Sequence, residues 1–151
     1  MTDARKIVTK NRKATHEYHI EERLEAGLAL RGTEVKALRH GKANLQEAFC
    51  ALEGGELKLF QCHIAPYEYG NRQNHDPLRP RTLLMHRREI DQFAKATAQK
   101  GYTIIPLSIY FRNGRAKVEI GLAKGKKLYD KRHDIAERET KRRMDRLSKA
   151  R

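Results

Sequence analysis

The stretch TIIPLSIYFRNGRAKVEIGLA, residues 103–123, constrains the fold more than any other part of the chain. Asn113-Gly114 is a preferred pair for a type I′ turn, so the flanking runs are expected to fold back as a hairpin. Pairing residues whose numbers sum to 227 sets Phe111 against Ala116, Ile109 against Val118, Leu107 against Ile120 and Ile105 against Leu122. All eight are apolar. The opposite face carries Tyr110 with Lys117 and Ser108 with Glu119, which is the pattern of a sheet with one buried and one solvated side. Tyr110 beside Lys117 either packs across the strands or offers an aromatic ring and a cation to RNA.

A second hairpin is expected in AFCALEGGELKLFQCHI, residues 48–64, where Gly54-Gly55 separates two strand-like runs. Its register sets Cys50 against Leu59 and Cys62 against Glu47, so the two cysteines do not face each other and read as packing residues. THEYHI and EAGLAL suggest one long strand or two short ones. GTEVKALRHG reads as a short helix with Thr33 as N-cap, Glu34 in the first turn and Arg39 and His40 in the last. HRREIDQFAKATAQKG places Ile90, Phe93, Ala94 and Thr97 on one helical face, with Gly101 to cap the end. Pro66 to Arg81 has the composition of an irregular loop, and its length makes it either functional or mobile. Hairpin-rich strands with few helices predict a mostly β domain: a small antiparallel β-barrel of the oligonucleotide-binding (OB-fold) type, a frequent nucleic-acid binder, over residues 1–123, followed by a basic C-terminal tail over 124–151.

Charge agrees with that reading. The 151 residues carry a formal net charge of +14 and a pI near 10.0. So much self-repulsion points to a polyanionic partner, with nucleic acid first. Residues 124–151 hold 12 Lys/Arg against 5 Asp/Glu and residues 1–123 hold 21 against 14, so each part carries +7. No apolar run approaches the roughly 18 residues of a membrane span. MTDARKIVTKNRKA lacks the apolar centre of a secretory signal, so no membrane association and a cytoplasmic location are expected.

Catalysis finds little to build on. His16 and His19 fall three apart on the predicted strand and would leave by opposite faces, so they would not share a metal. HExxH, zinc-deaminase and paired-cysteine patterns are missing, and the Gly-Lys pairs at 41–42 and 125–126 lack the rest of a phosphate loop. Neither an enzyme nor a cofactor is implied. Two rival classes differ in what they bind or do: a structural ribosomal protein would need no partner RNA, and an RNA-processing enzyme would act on RNA alone.

NRKATHEYHIEERLEAGLALRGTEVKALRHGKANL, RTLLMHRREI, PLSIYFRNGRAKVEIGLAKGKK and YDKR resemble, in order from about Asn11 to Arg132, the SsrA-binding protein family (SmpB) of bacterial trans-translation. The resemblance implies a barrel that holds the tRNA-like end of transfer-messenger RNA as a monomer and carries it to ribosomes stalled without a stop codon. It further implies RNA contacts at Asn11, His16, Tyr18, Glu25, Leu84 and Lys117, with basic contacts at Lys124, Lys126 and Lys127. Asn bonds phosphate or base edges, Tyr and His stack on unpaired bases, Leu walls a base and Lys neutralises phosphate. Glu25 is the odd member, because a carboxylate repels phosphate; it accepts from a base amino group, orients a neighbouring Arg or Lys, or is purely structural. Charge and placement add Arg12, Lys13, Lys36 and Arg39. Tyr129 stands where some relatives are expected to have His, which keeps stacking on a base but removes an imidazole proton.

The tail has its own internal logic. Asp134 precedes Arg138, Glu137 precedes Lys141, Glu139 precedes Arg143 and Asp145 precedes Lys149 by four residues. Each such pair supports a helix by about 0.2–0.5 kcal/mol. Ile135, Met144 and Leu147 form no continuous apolar stripe, so a tail disordered when free and helical along polyanionic RNA is expected. The resemblance names that surface as the ribosome, in its decoding centre and empty messenger channel, with Tyr129, Asp130, Lys131, Arg132, Arg138, Lys141, Arg142 and Arg143 as the contacting residues.

Overall fold

In the computed structural model the described residues are 5–67 and 74–125. Their elements are β1 (Lys6–Lys10), α1 (Arg12–Glu17), β2 (Tyr18–Leu28), α2 (Gly32–Arg39), β3 (Ala43–Asn44), β4 (Phe49–Glu53), β5 (Glu56–Phe60), β6 (His63–Ile64), β7 (Arg81–Leu84), α3 (Arg87–Thr97), β8 (Tyr102–Arg112) and β9 (Arg115–Gly125). β8 pairs with β4, β4 with β5, β5 with β7, β7 with β2, β2 with β9 and β9 with β8, all antiparallel. The six strands therefore close a small barrel, as the sequence led us to expect. β1 extends the sheet along β8, while β3 and β6 form a separate two-stranded ribbon.

Both hairpins form where expected. Asn113 and Gly114 take φ of 53° and 76°, the two left-handed residues a type I′ turn requires. The β4–β5 ladder runs from Phe49–Phe60 to Glu53–Glu56 with Cys50 opposite Leu59. Cys62 lies beyond the end of β5, so its projected pairing with Glu47 does not occur. Both cysteines are free and buried in the main core.

The β8–β9 register departs from expectation at one point. Phe111–Ala116 through Ser108–Glu119 follow the predicted pairing, but Ile120 then faces Pro106 and Leu122 faces Ile104. Pro106 has no N–H to give the ladder, and one strand residue is bulged out between Pro106 and Ser108. A one-residue slip turns every following side chain over. Ile104 therefore enters the barrel with Ile109, Val118, Ile120 and Leu122, whereas Ile105 and Leu107 join Ala14 and Ala123 in a second cluster on the other side of the sheet. There a Cβ on Gly121 would lie 3.0 Å from Ile20 Cγ2 and 3.1 Å from Leu107 Cδ1, so only glycine lets these side chains meet.

That second cluster needs a cover, and α1 supplies it. THE, read from sequence as the start of a strand, closes this helix instead, and β2 begins at Tyr18 as one long strand. Asn11 caps α1 by accepting from the Ala14 N–H at 3.2 Å, and its Nδ2 donates to Pro106 O at 3.0 Å. Its backbone N–H donates to Leu107 O at 2.8 Å. The carbonyls at the bulge thus hold the start of the helix.

α2 begins two residues earlier than expected, with Arg31 rather than Thr33 at the N-cap; Glu34 accepts from the Arg31 N–H at 2.8 Å. Thr33 instead lies 2.9 Å from Nδ1 of the buried His75. α3 buries Ile90 and Phe93 and ends at Thr97, so Gly101, with φ of 92°, serves the turn into β8 rather than the cap. Pro66, Tyr67 and residues 74–80 run without strand or helix, as expected of this loop.

Glu34 and Arg81 are both fully buried, and they meet at 2.6 Å. Arg79 approaches the other Glu34 oxygen at 2.5 Å, and Arg81 also donates to Cys62 O at 2.5 Å and Pro77 O at 3.1 Å. Burial alone would raise the Glu34 pKa; the hydrogen bonds from Arg79, the Arg31 N–H and Arg81 outweigh it and hold the carboxyl below its ordinary value. The folded pKa is depressed, so this contribution is complete above the unfolded value near pH ~4.3 and is lost as pH falls through the folded value. Glu34→Gln leaves Arg81 buried without its counter-charge and should cost about 3–5 kcal/mol. Urea unfolding at neutral pH checks the loss, and acid titration of the variant should show a flatter decline than that of the parent chain.

Candidate nucleic-acid interface

One row of residues crosses the outside of the barrel from strand to strand. Leu84 on β7 pairs with Gly27 on β2, Gly27 with Lys117 on β9, Lys117 with Tyr110 on β8 and Tyr110 with Ile7 on β1. Directly paired residues share a face. Leu84 and Ile7 leave 59% and 50% of their surface to water, an apolar edge at each end of the row. A Cβ on Gly27 would stand 3.1 Å from the Leu84 Cβ, so glycine is what lets Leu84 lie across the neighbouring strand.

An ion-pair network borders the row. Glu25 takes Arg112 Nη1 at 2.8 Å and the Tyr110 hydroxyl through one oxygen. Burial, followed by the hydrogen bond to Glu25, pushes the Tyr110 phenol well above its ordinary pKa, so it donates as a neutral hydroxyl. The Arg5 and Arg112 guanidinium carbons lie 4.8 Å and 5.9 Å from the Tyr110 ring centre. Glu119, paired with Glu25 across the strands, binds Arg23 at 3.0 Å and Arg5 at 3.3 Å. The Arg112 Nε is buried and meets no acceptor among the described residues, at a cost of about 1–3 kcal/mol.

The expected contacts do not form a single cluster. Glu25, Leu84 and Lys117 are brought together on this face. Tyr18 lies nine residues from Gly27 along β2, roughly 30 Å at ~3.3 Å per residue. Around it are α1 and a cleft of about 300 Å³ between Lys13, Tyr18, Glu47, Phe49 and Ile105. Lys13 is held by Glu47 at 3.2 Å, and Phe49 is stacked on Phe60 at 5.5 Å. Arg12 and His16 are exposed on α1, and Tyr18 is half-buried against the outer cluster. His16 is thus helical while His19 lies on β2, which replaces the strand expected to carry both. Asn11 is only 7% exposed, and its amide is engaged with Ala14 and Pro106, so its observed work is to seat α1.

Lys36 and Arg39 form a third group on the last turn of α2, over the rings of Tyr67 at 5.3 Å and Phe111 at 5.7 Å. Lys124, placed by sequence at the head of the tail, is a β9 residue opposite His19, with its amine 5.3 Å from the Tyr102 ring centre. Lys126, Lys127, Tyr129, Asp130, Lys131, Arg132, Arg138, Lys141, Arg142 and Arg143 lie outside the described residues. Sequence reasoning missed Arg5 and Arg112. Alternation alone would have put Arg112 beside Tyr110 on the outer face, but its tie to Glu25 spans 87 residues of sequence and leaves no local signal.

Among the described residues, no three His, Cys, Asp or Glu side chains gather as metal ligands, and no helix is long and apolar enough to cross a membrane. The arrangement offers cations over the buried Tyr110 ring, exposed Leu84 and Ile7 and a basic outer face, which are means of holding folded RNA.

Comparison with known proteins agrees. The family described as SmpB protein matches residues 8–150. The SsrA-binding protein of Pelotomaculum thermopropionicum is 59% identical over 146 residues, covering 97% of this chain and 95% of that protein. That of Carboxydothermus hydrogenoformans is 54% identical over 146 residues, covering 97% and 98%. A solved structure described as "tmRNA-SmpB: a journey to the center of the bacterial ribosome" superposes with a TM-score of 0.66 at 50% identity, covering 78% of this chain and 82% of that one. By sequence along nearly its whole length and by the course of its strands, the chain belongs to the SmpB family.

Proposed function

We propose that this chain binds the tRNA-like domain of transfer-messenger RNA with its barrel and delivers that RNA to stalled ribosomes in the bacterial cytoplasm. The observation that carries the reading is the outer barrel face, where Lys117 and Arg112 sit among Tyr110, Leu84 and Ile7 in a protein of net charge +14. Relatives that match it end to end are named for binding SsrA RNA, and the similar solved structure concerns transfer-messenger RNA and SmpB at the ribosome. The work is binding and delivery rather than catalysis. Phosphate neutralisation supplies most of the attraction, and aromatic and apolar side chains recognise splayed bases.

α1 and its cleft form the second part of the RNA surface in this reading, with Arg12, Lys13, His16 and Tyr18 grouped at the far end of β2. Residues beyond the barrel carry the ribosomal role. Their i,i+4 pairs support a helix laid in the empty messenger channel, with Asp130, Lys131 and Arg132 orienting it.

The first expectation is direct. Incubated with total bacterial RNA at moderate salt, the purified chain should retain transfer-messenger RNA intact; retention of ribosomal RNA alone, or cleavage of the captured RNA, would exclude the proposal. Tyr18→Leu keeps an apolar side chain over Ile105 and Leu107 but removes the ring, so RNA binding should weaken by about 1–3 kcal/mol, the value of a lost stack. Affinity measured beside a melting curve separates this from a folding defect, and unchanged affinity takes Tyr18 out of the interface. Truncation after Tyr129 retains all of β9 and should preserve RNA affinity while abolishing peptide tagging on stalled ribosomes. A side-by-side assay of the two decides it, since equal losses would assign the removed residues to RNA binding.

A further inference from the structure

We infer that Arg112 is a direct RNA contact of the barrel face and that Glu25 acts on RNA through Arg112, as its positioning residue. This deepens the RNA-binding reading above and rests on it. A carboxylate set alone among phosphates would weaken binding, yet Glu25 lies in the middle of this face. Its Oε2 is engaged by Arg112 Nη1 at 2.8 Å and by the Tyr110 hydroxyl, so the carboxylate serves cations and donors of its own protein.

Arg112 is built differently from an arginine that only closes an ion pair. A guanidinium has five N–H donors in one plane. Arg112 gives Nη1 to Glu25 and its Nε is buried, yet no hydrogen bond of its Nη2 is seen among the described residues and the side chain remains a quarter exposed, so the guanidinium is not used up by the ion pair. Two positions from Tyr110 on β8, it lies on the same outer face as Lys117 and the exposed Ile7 and Leu84 at the two ends of the row. A planar fork beside an amine and flanked by aliphatic walls fits a phosphate with an unpaired base next to it. Glu119 treats Arg5 and Arg23 in the same way. The cations Arg5, Arg23, Arg112, Arg115 and Lys117 outnumber the carboxylates Glu25 and Glu119 on this face, so it remains attractive to a polyanion while the acids fix where the guanidinium groups point.

The test is a mutant cycle in the full chain, read as affinity for a transcript of the tRNA-like domain across a salt series. Arg112→Gln should weaken binding roughly 10- to 100-fold, the range for a charged hydrogen bond. It should also lower the slope of log affinity against log salt by about 0.7–0.9, one phosphate. Arg112→Lys should restore the slope but not the full affinity, because an amine lacks the fork. Glu25→Gln should weaken binding in the parent chain and change nothing further in the Arg112→Gln background. Melting temperatures close to that of the parent chain exclude a folding effect. Losses that multiply in the double variant would mean that Glu25 touches RNA itself, and an unchanged slope in Arg112→Gln would remove Arg112 from the contact. Both outcomes overturn this inference while leaving RNA binding intact. Failure of the parent chain to bind the transcript would instead overturn the functional reading and this inference with it.

Discussion

Pro106 sets the architecture of the α1 side of the molecule. Without an N–H it cannot continue the β8–β9 ladder, and the strand answers by bulging one residue and turning over. Ile105 and Leu107 then face outward, where water would leave about 1.5–3 kcal/mol of burial per side chain unrealised. α1 lies over them, pinned because the Asn11 backbone and side chain take the carbonyls of Leu107 and Pro106. Arg12, Lys13 and His16 are therefore displayed from a helix whose place is fixed by a proline some 90 residues away. The defect in the ladder is what creates the second basic surface.

The other end of the barrel depends on a charge that cannot reach water. Arg81 begins β7 with its side chain turned inward, where Glu34 from α2, the Cys62 carbonyl and the Pro77 carbonyl surround it. Three separate stretches of chain converge on one guanidinium. Replacing such a group with apolar atoms can be neutral, but removing one partner cannot. The pair sets where α2 sits relative to β7, and hence where Lys36 and Arg39 stand relative to Leu84.

Local pattern made the hairpins legible. Asn113-Gly114 and Gly54-Gly55 fixed two turns and most of two registers, and an aliphatic period exposed α3, because these signals lie within a dozen residues of each other. What escaped depended on distance. The Pro106 bulge carried a local mark, yet its consequence for Ile105 and Leu107 appears only when α1 is seen to cover them. THE read as strand because β2 follows at once, while the cap that makes it helical is completed by Pro106. The site shows the same division. Glu25, Leu84 and Lys117 were identified by resemblance rather than by pattern, and their adjacency follows from β7, β2 and β9 being neighbours in the ring. Asn11 was named by the same resemblance, and local pattern gave no sign that its amide is engaged with Ala14 and Pro106 within the fold.

A protein of net charge +14 has attraction enough for any RNA; discrimination requires that some charges cannot move. Arginine side chains carry about 2 kcal/mol of rotamer entropy, and ordering them at the moment of binding subtracts from affinity for right and wrong partners alike. On the outer barrel face Glu25 and Glu119 hold three arginines in place beforehand, with the Tyr110 ring beneath Arg5 and Arg112. The carboxylates give up some long-range attraction and leave a rigid pattern of donors on closed strands. In the proposed complex, an RNA whose phosphates and splayed bases matched that pattern would gain the contacts at a reduced ordering cost, least at the quarter-exposed Arg112, and one that did not match would gain only the diffuse charge.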